Sequence, residues 1–155
     1  MKRWVLFFTI ALFFFSLDIL TKEIIENKVP YLSEIKVTNF LNIVHIRNRG
    51  SIFGIFSDIQ NEYFRLFMNI LSIVVLVILF FFARSFSGLP FYTIGAMIGG
   101  ALGNVYERIA KGYVVDFIDF HIGKYHWPAF NVADSIITIG IITVLIHSSS
   151  RSKKR

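Results

Sequence analysis

Two aspartates in the second half of the chain have surroundings that suit acid–base chemistry. Asp134 lies in Phe130-Asn-Val-Ala-Asp-Ser135, where an apolar stretch begins, and Asp116 lies in Gly112-Tyr-Val-Val-Asp-Phe117. When two carboxyl groups share a site, one can stay ionised and take a proton from water while the other keeps its proton and polarises a carbonyl. Such a pair hydrolyses an amide without a metal, a thiol or a serine triad. The hypothesis requires that the fold bring the two acids together, which the sequence alone does not show.

Each acid also has a simpler explanation. Asp134 can serve as an acid at a helix N-terminus that accepts hydrogen bonds from free backbone N–H groups. Asp116 can be a solvated loop acid, although alternation through Val114, Asp116 and Ile118 turns it to the same side as apolar residues. Asp119 is a rival for the same role, and it points to the opposite face of an extended segment. Local chemistry does not separate Asp116 from Asp119.

The composition excludes several other kinds of site. The chain has no Cys, so disulfides, thiolate catalysis and cysteine-based metal sites are absent. Its four histidines lack the HExxH spacing of zinc peptidases, and we expect no metal and no cofactor. We expect His121 and His126 to be loop residues and neither a base nor ligands.

The chain has the composition of a membrane protein. It has 155 residues, of which 55% are hydrophobic and 17% charged, where soluble proteins carry about a quarter charged residues. Four apolar stretches, about 4–20, 66–83, 89–105 and 130–146, are each roughly 17–18 residues long, near the lower limit for crossing a ~30 Å hydrocarbon layer. We therefore predict one domain over residues 1–155, a membrane all-α bundle of four transmembrane helices.

The first apolar stretch also resembles a secretory signal peptide. Lys2 and Arg3 precede it, as in an n-region, but residues 18–22 offer no small-residue cleavage site. We expect this stretch to be retained as a membrane span.

The basic residues predict the orientation in the membrane. With both termini in the cytoplasm, the inner segments hold Lys2, Arg3, Arg84 and the basic tail 147–155, with no acid among them. The external segments are then about 21–63 and 106–129. The tail is expected to bind anionic lipid, and nucleic-acid binding is not expected despite the net charge of +6.

Two further patterns concern the architecture. Residues 35–46 are rich in β-branched side chains and predict one or two strands, followed by a turn at Asn48-Arg49-Gly50. We expect a small external β-sheet on the outer membrane surface, within a periplasmic or extracellular loop. In the third span Gly95, Gly99 and Gly103 recur every four residues, which favours close approach of another helix backbone.

Several polar residues lie at the ends of the predicted spans that face the outer side of the membrane. Asp18, Asp134 and the group Asn104–Arg108 all lie at external ends of spans, and Asn131 shares a helix face with Asp134. Ionisable residues at such positions are costly and usually have a role. The pattern therefore predicts a polar cluster near the outer interface.

In order and content these motifs resemble lipoprotein signal peptidase, the type II signal peptidase family of bacteria. Asp18-Ile-Leu-Thr-Lys22 resembles the D-x-x-T-K block of that family, and Asn48-Arg-Gly-Ser-Ile-Phe-Gly54 resembles its N-x-G-x-x-F block. The segment 99–117 resembles G-N-x-x-D-R followed by G-x-V-V-D-F, and 130–135 resembles F-N-x-A-D-S. Together the blocks cover most of residues 18–140.

The resemblance implies a function and a set of site residues. It implies cleavage of prolipoproteins just before a diacylglyceryl-modified Cys, in the bacterial cytoplasmic membrane near the external leaflet. Prolipoproteins and membrane lipid are then the partners, and we expect a monomer. The resemblance places the catalytic pair at Asp116 and Asp134, favouring Asp116 over Asp119. Supporting positions carried over are Asp18, Lys22, Asn48, Gly50, Asn104, Arg108 and Asn131.

The sequence departs from the family pattern at three positions. Glu107 stands where the family usually has Asp, which keeps the charge on a longer arm and changes the geometry of its partner. Arg49 and Ser51 stand where small residues are common and bear on substrate preference. Arg108 has the simpler alternatives of pairing with Glu107 or of extending to the interface, and Lys22 has the same alternatives. Asn104 has the simpler alternative of capping or bridging helices.

Two other classes of function fit parts of the pattern. A transporter would use the acids as ion ligands or a proton relay, but we find no inverted repeat and the acids gather at one interface. A non-enzymatic scaffold would use the helix with the glycine stripe to bind a partner helix, and its aspartates would be dispensable.

Overall fold

The computed structural model describes residues 1–49 and 62–152. In these ranges the chain forms four helices: α1 (Lys2–Lys28), α2 (Glu62–Ala83), α3 (Leu89–Lys111) and α4 (Val132–Ser152). It also forms four strands: β1 (Glu34–Lys36), β2 (Leu41–Asn48), β3 (Val114–Ile122) and β4 (Tyr125–His126). Gly50 and Ser51, both singled out from the sequence, lie outside the described residues.

Three of the helices are long and apolar enough to cross a membrane. They are Lys2–Lys28, Leu66–Ala83 and Val132–Ser150. The fourth predicted span, 89–105, is helical but is not among them, so its crossing stays a prediction. The helix α3 packs against each of the other three helices, and much of its length is buried by them. A helix surrounded by protein needs less apolar surface than one that faces lipid.

The helices extend beyond the predicted spans. The helix α1 continues to Lys28, although the sequence predicts an external segment from about residue 21. The reason is a buried face: Asp18, Lys22 and Ile25 follow one another at helical spacing and are all buried. A charged side chain therefore does not end this helix, because its partner lies inside the protein. The helix α4 likewise runs through Ser152, into the predicted tail.

The glycine stripe of α3 faces α1, so the close helix contact that its spacing predicts is confirmed, with α1 as the partner. A Cβ at Gly95 would meet the ring of Phe7, and a Cβ at Gly99 would overlap the backbone of Ala11. At Gly103 a Cβ would meet the carboxylate of Asp18. The close approach of α1 and α3 brings the polar residues of α1 against the C-terminal half of α3.

The strands form one antiparallel sheet in the order β1-β2-β3-β4. Two of them, β1 and β2, lie where the sequence predicts one or two strands. The strand β2 pairs with β3, with Ile46 opposite Asp116, and the register shifts between Ile43 and Ile46. Such an irregularity re-aims side chains near a site. The sheet packs on the end of α1 through a small core of Ile25, Val29, Val115 and Phe117.

A second connection fixes the sheet to the start of α4. Phe130 accepts hydrogen bonds from the N–H groups of Phe117 and Ile118, at 3.0 and 2.8 Å, and donates its own N–H to Ile118 at 3.1 Å. The strand that carries Asp116 is thus joined to the residues just before the helix that carries Asp134.

Candidate active site

Asp116 is buried in β3, with only 3% of its surface exposed. Its Oδ1 accepts a hydrogen bond from Asn131 Nδ2 at 2.7 Å, and its Oδ2 accepts one from Asn48 Nδ2 at 2.9 Å. Both carboxylate oxygens are therefore held by neutral amide donors, one from each side of the strand.

Asp134 lies in the first turn of α4, where it also serves the helix end. Its Oδ2 accepts the N–H of Asn131 at 3.2 Å, and Asn131 Oδ1 accepts the N–H of Asp134 at 3.0 Å. This reciprocal pair has the pattern of a capping box. The other oxygen, Oδ1, accepts a hydrogen bond from Asn104 Nδ2 at 3.0 Å. One oxygen of Asp134 caps the helix and the other faces the polar cluster.

Asn131 touches both acids. Its Nδ2 donates to Asp116, and its backbone N–H and side-chain oxygen bond to Asp134. The two acids also line a single cavity of about 600 Å³, together with Asn48, Phe130 and Ser135. The fold therefore brings the two carboxyl groups to one space through a shared asparagine.

The surroundings of Asp116 change its ionisation. Burial and, to a smaller extent, the nearby charge of Asp134 raise the pKa of Asp116 to about 7, although the hydrogen bonds from Asn48 and Asn131 and the charge of Lys22 oppose this shift. At neutral pH this carboxyl group holds its proton for a large fraction of the time. A group of this kind can donate a proton to a carbonyl oxygen.

Asp116→Asn is expected to remove a pH dependence of stability. Asp116 ionises near pH 3.8 in an unfolded chain and near 7 in the folded protein, so between these values the folded state binds the extra proton. The free energy of unfolding of the wild type therefore falls as pH rises from about 4 to about 7. The variant lacks this loss. The melting temperature of the variant in detergent, minus that of the wild type, should therefore be more positive at pH 8 than at pH 4.

Glu23→Gln is a suitable control, because Glu23 is an exposed acid on α1. Its melting temperature should track that of the wild type at every pH. An Asp116→Asn curve that runs parallel to the wild type from pH 4 to pH 8 would contradict the raised pKa.

Lys22 and Asp18 of α1 contact the residues around the two acids. Both are fully buried, and Lys22 Nζ donates to Asp18 Oδ2 and to Asn104 Oδ1, each at 2.6 Å. Asp18 Oδ1 accepts the N–H of Ala133 at 2.9 Å, at the start of α4. Asn104 thus does more than cap a helix, because it accepts from Lys22 and donates to Asp134.

Arg108 is placed differently from the other supporting residues. Its Nη1 donates to Ser72 Oγ of α2 at 3.2 Å, and its Nε is buried without a hydrogen-bond partner among the described residues. Over the described residues Arg108 does not pair with Glu107, so that alternative is wrong. Glu107 instead pairs with Lys22 and Lys111. Asp134 and Asp116 are the charged groups that act on the guanidinium.

Asp119 is separated from the pair by the structure. It is buried, accepts a hydrogen bond from Asn42 Nδ2 at 3.0 Å, and pairs with His126 Nδ1 at 2.9 Å. It lines a different cavity, and the geometry thus distinguishes it from Asp116.

The expectation that His121 and His126 are loop residues is wrong: they lie in β3 and β4, and their rings stack 4.9 Å apart. Over residues 1–49 and 62–152, no group of three or more ligating side chains is arranged for a metal ion.

Glu107 is a buried residue whose contacts the sequence did not predict. It is 1% exposed and accepts the N–H of Val115, the residue before Asp116, at 3.0 Å. The only sign of these contacts in the sequence was the position of this acid, one helical turn before Lys111, in a predicted membrane bundle. Its partner across the fold was not readable, because Val115 belongs to a strand that follows the helix.

The chain is similar over nearly its whole length to known proteins. The family model described as signal peptidase (SPase) II matches residues 10–150. The lipoprotein signal peptidase of Francisella tularensis subsp. novicida (strain U112) is 34% identical over 152 residues, covering 96% of this chain and 94% of that protein. That of Desulforapulum autotrophicum is 41% identical over 138 residues, covering 85% and 84%. A bacterial membrane enzyme solved by the in meso method at 2.3 Å resolution matches with a TM-score of 0.81 and 35% identity, covering 95% of this chain and 89% of that one.

Proposed function

This chain belongs to the signal peptidase II family, proteases of lipoprotein signal peptides, and we propose that it hydrolyses its substrate with Asp116 and Asp134 as a catalytic aspartate pair. The observation that carries the proposal is the shared asparagine: Asn131 bonds to both acids at one cavity. Transport and scaffolding, the two alternatives from the sequence, gain no support from a match to proteases.

The two carboxyl groups have different roles in the proposed mechanism. Asp134 is ionised and takes a proton from water, whose oxygen attacks the scissile carbonyl carbon. Asp116 donates its proton to the carbonyl oxygen, a role supported by its pKa of about 7. The tetrahedral intermediate then collapses: Asp134 passes its proton to the departing amide nitrogen, the C–N bond breaks, and Asp116 takes back a proton from the hydroxyl. Both acids return to their starting states.

The same proposal assigns the site a position in the membrane. As a signal peptidase II the protein is a bacterial inner-membrane enzyme with several apolar helices. We propose four spans with both termini in the cytoplasm. Lys2, Arg3 and the basic tail 147–155 support this orientation. Asp18, Asn104 and Asp134 then lie towards the outer leaflet, and the protein acts as a monomer.

This position suits a lipid-modified substrate. The proposed scissile bond precedes a diacylglyceryl-modified Cys, whose acyl chains stay in the outer leaflet. The cavity with the two acids is otherwise lined largely by apolar side chains, including Phe120, Trp127 and Ile139. Once the substrate fills the cavity, such a lining favours exclusion of bulk water from the reacting bond, while the two carboxyl groups act on one water molecule.

The reaction is tested with purified protein and two forms of one prolipoprotein, diacylglyceryl-modified and unmodified. We expect a shortened product from the modified form alone, with the new N-terminus at the lipidated Cys. Equal cleavage of both forms would overturn the lipid requirement, and no product from either would overturn the proposed activity.

A further inference from the structure

Glu107 is bound on both of its carboxylate oxygens, away from the cavity that holds the two acids. Its Oε2 accepts the N–H of Val115 at 3.0 Å and lies 3.3 Å from Lys22 Nζ. Its Oε1 accepts a hydrogen bond from Lys111 Nζ at 2.8 Å. Glu107 is not among the residues that line the cavity of Asp116 and Asp134, so it does not meet the reacting atoms.

These contacts connect Glu107 to both halves of the aspartate pair. Val115 precedes Asp116 directly, so the hydrogen bond holds the backbone from which that side chain projects. On the other side, Lys22 donates to Asn104, which donates to Asp134. One buried carboxylate therefore holds the strand of Asp116 and is connected to Asp134 through two side chains, Lys22 and Asn104.

The edge of β3 next to Asp116 depends on such side-chain contacts. Along this edge the N–H of Val115 goes to Glu107, and its C=O lies 3.5 Å from Asn131 Nδ2. Only further along, at Phe117 and Ile118, does Phe130 supply backbone partners. Buried backbone groups need partners, so loss of the Glu107 acceptor would leave a buried N–H group unpaired.

An outer group of charges keeps the Glu107 carboxylate in place. Lys111 binds Glu26 of α1 as well as Glu107, and Tyr113 donates its hydroxyl to Glu26 Oε1 at 2.8 Å. Because Lys111 holds Oε1, the carboxylate cannot rotate Oε2 away from Val115 without breaking an ion pair. This second anchor accounts for how the glutamate arm, one methylene longer than that of aspartate, is held in a defined geometry.

We propose that Glu107 is a positioning residue for the aspartate pair and that Lys111 fixes its carboxylate in the required orientation. The inference rests on the proposed function, since it concerns the alignment of Asp116 and Asp134. A displacement of about 1 Å at a catalytic group costs on the order of 10²-fold in rate. The effect should therefore fall on kcat, while KM, set by contacts in the cavity, stays nearly constant.

Three variants test the proposal on the full chain in detergent, with a lipidated prolipoprotein as substrate. Glu107→Gln keeps the acceptor for Val115 and loses the charge, and we expect kcat to fall about tenfold to a hundredfold with KM within about twofold. Lys111→Gln, at a side chain that is 32% exposed, should fold normally and lower kcat in the same way by a smaller factor. Glu107→Asp restores the charge and should recover part of the loss seen with Glu107→Gln.

Glu23→Gln serves as the matched control, because Glu23 is an exposed acid on α1. It should leave both kcat and KM unchanged.

A double variant isolates the part played by Lys111. In Glu107→Asp the shorter arm cannot reach both Val115 and Lys111, so adding Lys111→Gln should cost much less than it does in the wild type. Unchanged kcat in folded Glu107→Gln and in Lys111→Gln would overturn the proposal, and so would a rise in KM at constant kcat. If Glu107→Gln does not fold, Lys111→Gln and the double variant decide. A failure of the proposed function is distinct, because Asp116→Asn would then retain cleavage.

Discussion

Asp116→Asn and Asp134→Asn are each expected to lower kcat for signal-peptide cleavage by about 10⁴-fold, with the protein still folded. Asparagine has nearly the shape of aspartate and keeps an oxygen that can accept from Asn131 or Asn104. It can neither take a proton from water nor hand one to a carbonyl. Because the proposed mechanism uses the two acids in one proton cycle, the double variant should be little worse than either single variant.

The chain offers a matched control for this experiment. Asp119 is a buried aspartate three residues from Asp116 on the same strand, but it pairs with His126 and Asn42 beside another cavity. Asp119→Asn should therefore cleave lipidated prolipoprotein at close to the wild-type kcat. Near-normal cleavage by Asp116→Asn or Asp134→Asn, measured under single-turnover conditions, would remove that residue from the catalytic pair.

The sequence predicts the helices and the side of the molecule on which the polar residues meet. Long apolar runs in the sequence predict the three helices that are long and apolar enough to cross a membrane, because hydropathy needs no knowledge of the fold. The glycine spacing likewise predicts a close helix contact, found between Gly99 and Ala11. Hydropathy also predicts a span at 89–105, but α3 is not among the helices that are long and apolar enough to cross a membrane. Because α3 is packed against the other three helices, its own composition says less about whether it crosses.

The sheet was only partly predictable. Local β-branched composition indicates β1 and β2, but the pairing of β2 with β3 joins residues about 70 positions apart, such as Ile46 and Asp116. No local pattern encodes such a pairing, and hydrogen bonds between distant segments depend on the whole packing. For the same reason local chemistry did not separate Asp116 from Asp119, although in the fold they line different cavities.

Buried charges were the least predictable part of the candidate site. Lys22 lies past the predicted end of the first span, where a lysine usually marks the return to water, but it is fully buried. Its burial depends on Asp18 on its own helix and on Glu107 and Asn104 of α3. A cation can remain in such a place only when the fold supplies its partners, and these partners become visible only in three dimensions.

Lys22→Met is expected to lower the free energy of unfolding by about 3–5 kcal/mol and to reduce cleavage as well. Methionine fills a similar volume but leaves the buried carboxylates of Asp18 and Glu107 without their common cation, and these two groups repel one another. It also removes the donor to Asn104, which in turn donates a hydrogen bond to Asp134. Thermal unfolding in detergent, followed by tryptophan fluorescence, measures the first effect.

Removal of the second charge should relieve much of that cost. In the double variant Asp18→Asn/Lys22→Met, the asparagine oxygen can still accept the N–H of Ala133, so α4 keeps this contact while one unpaired carboxylate disappears. The double variant is therefore expected to be more stable than Lys22→Met alone, as for buried ion pairs in general. Lys28→Met, at the exposed end of the same helix, should shift stability by no more than about 0.5 kcal/mol. Two results would contradict this account: a melting temperature of Lys22→Met equal to that of the wild type, or a double variant less stable than Lys22→Met. In either case the contacts of Lys22 with Asp18 and Glu107 do not hold α1 against α3, and the polar cluster must depend on the glycine contact alone.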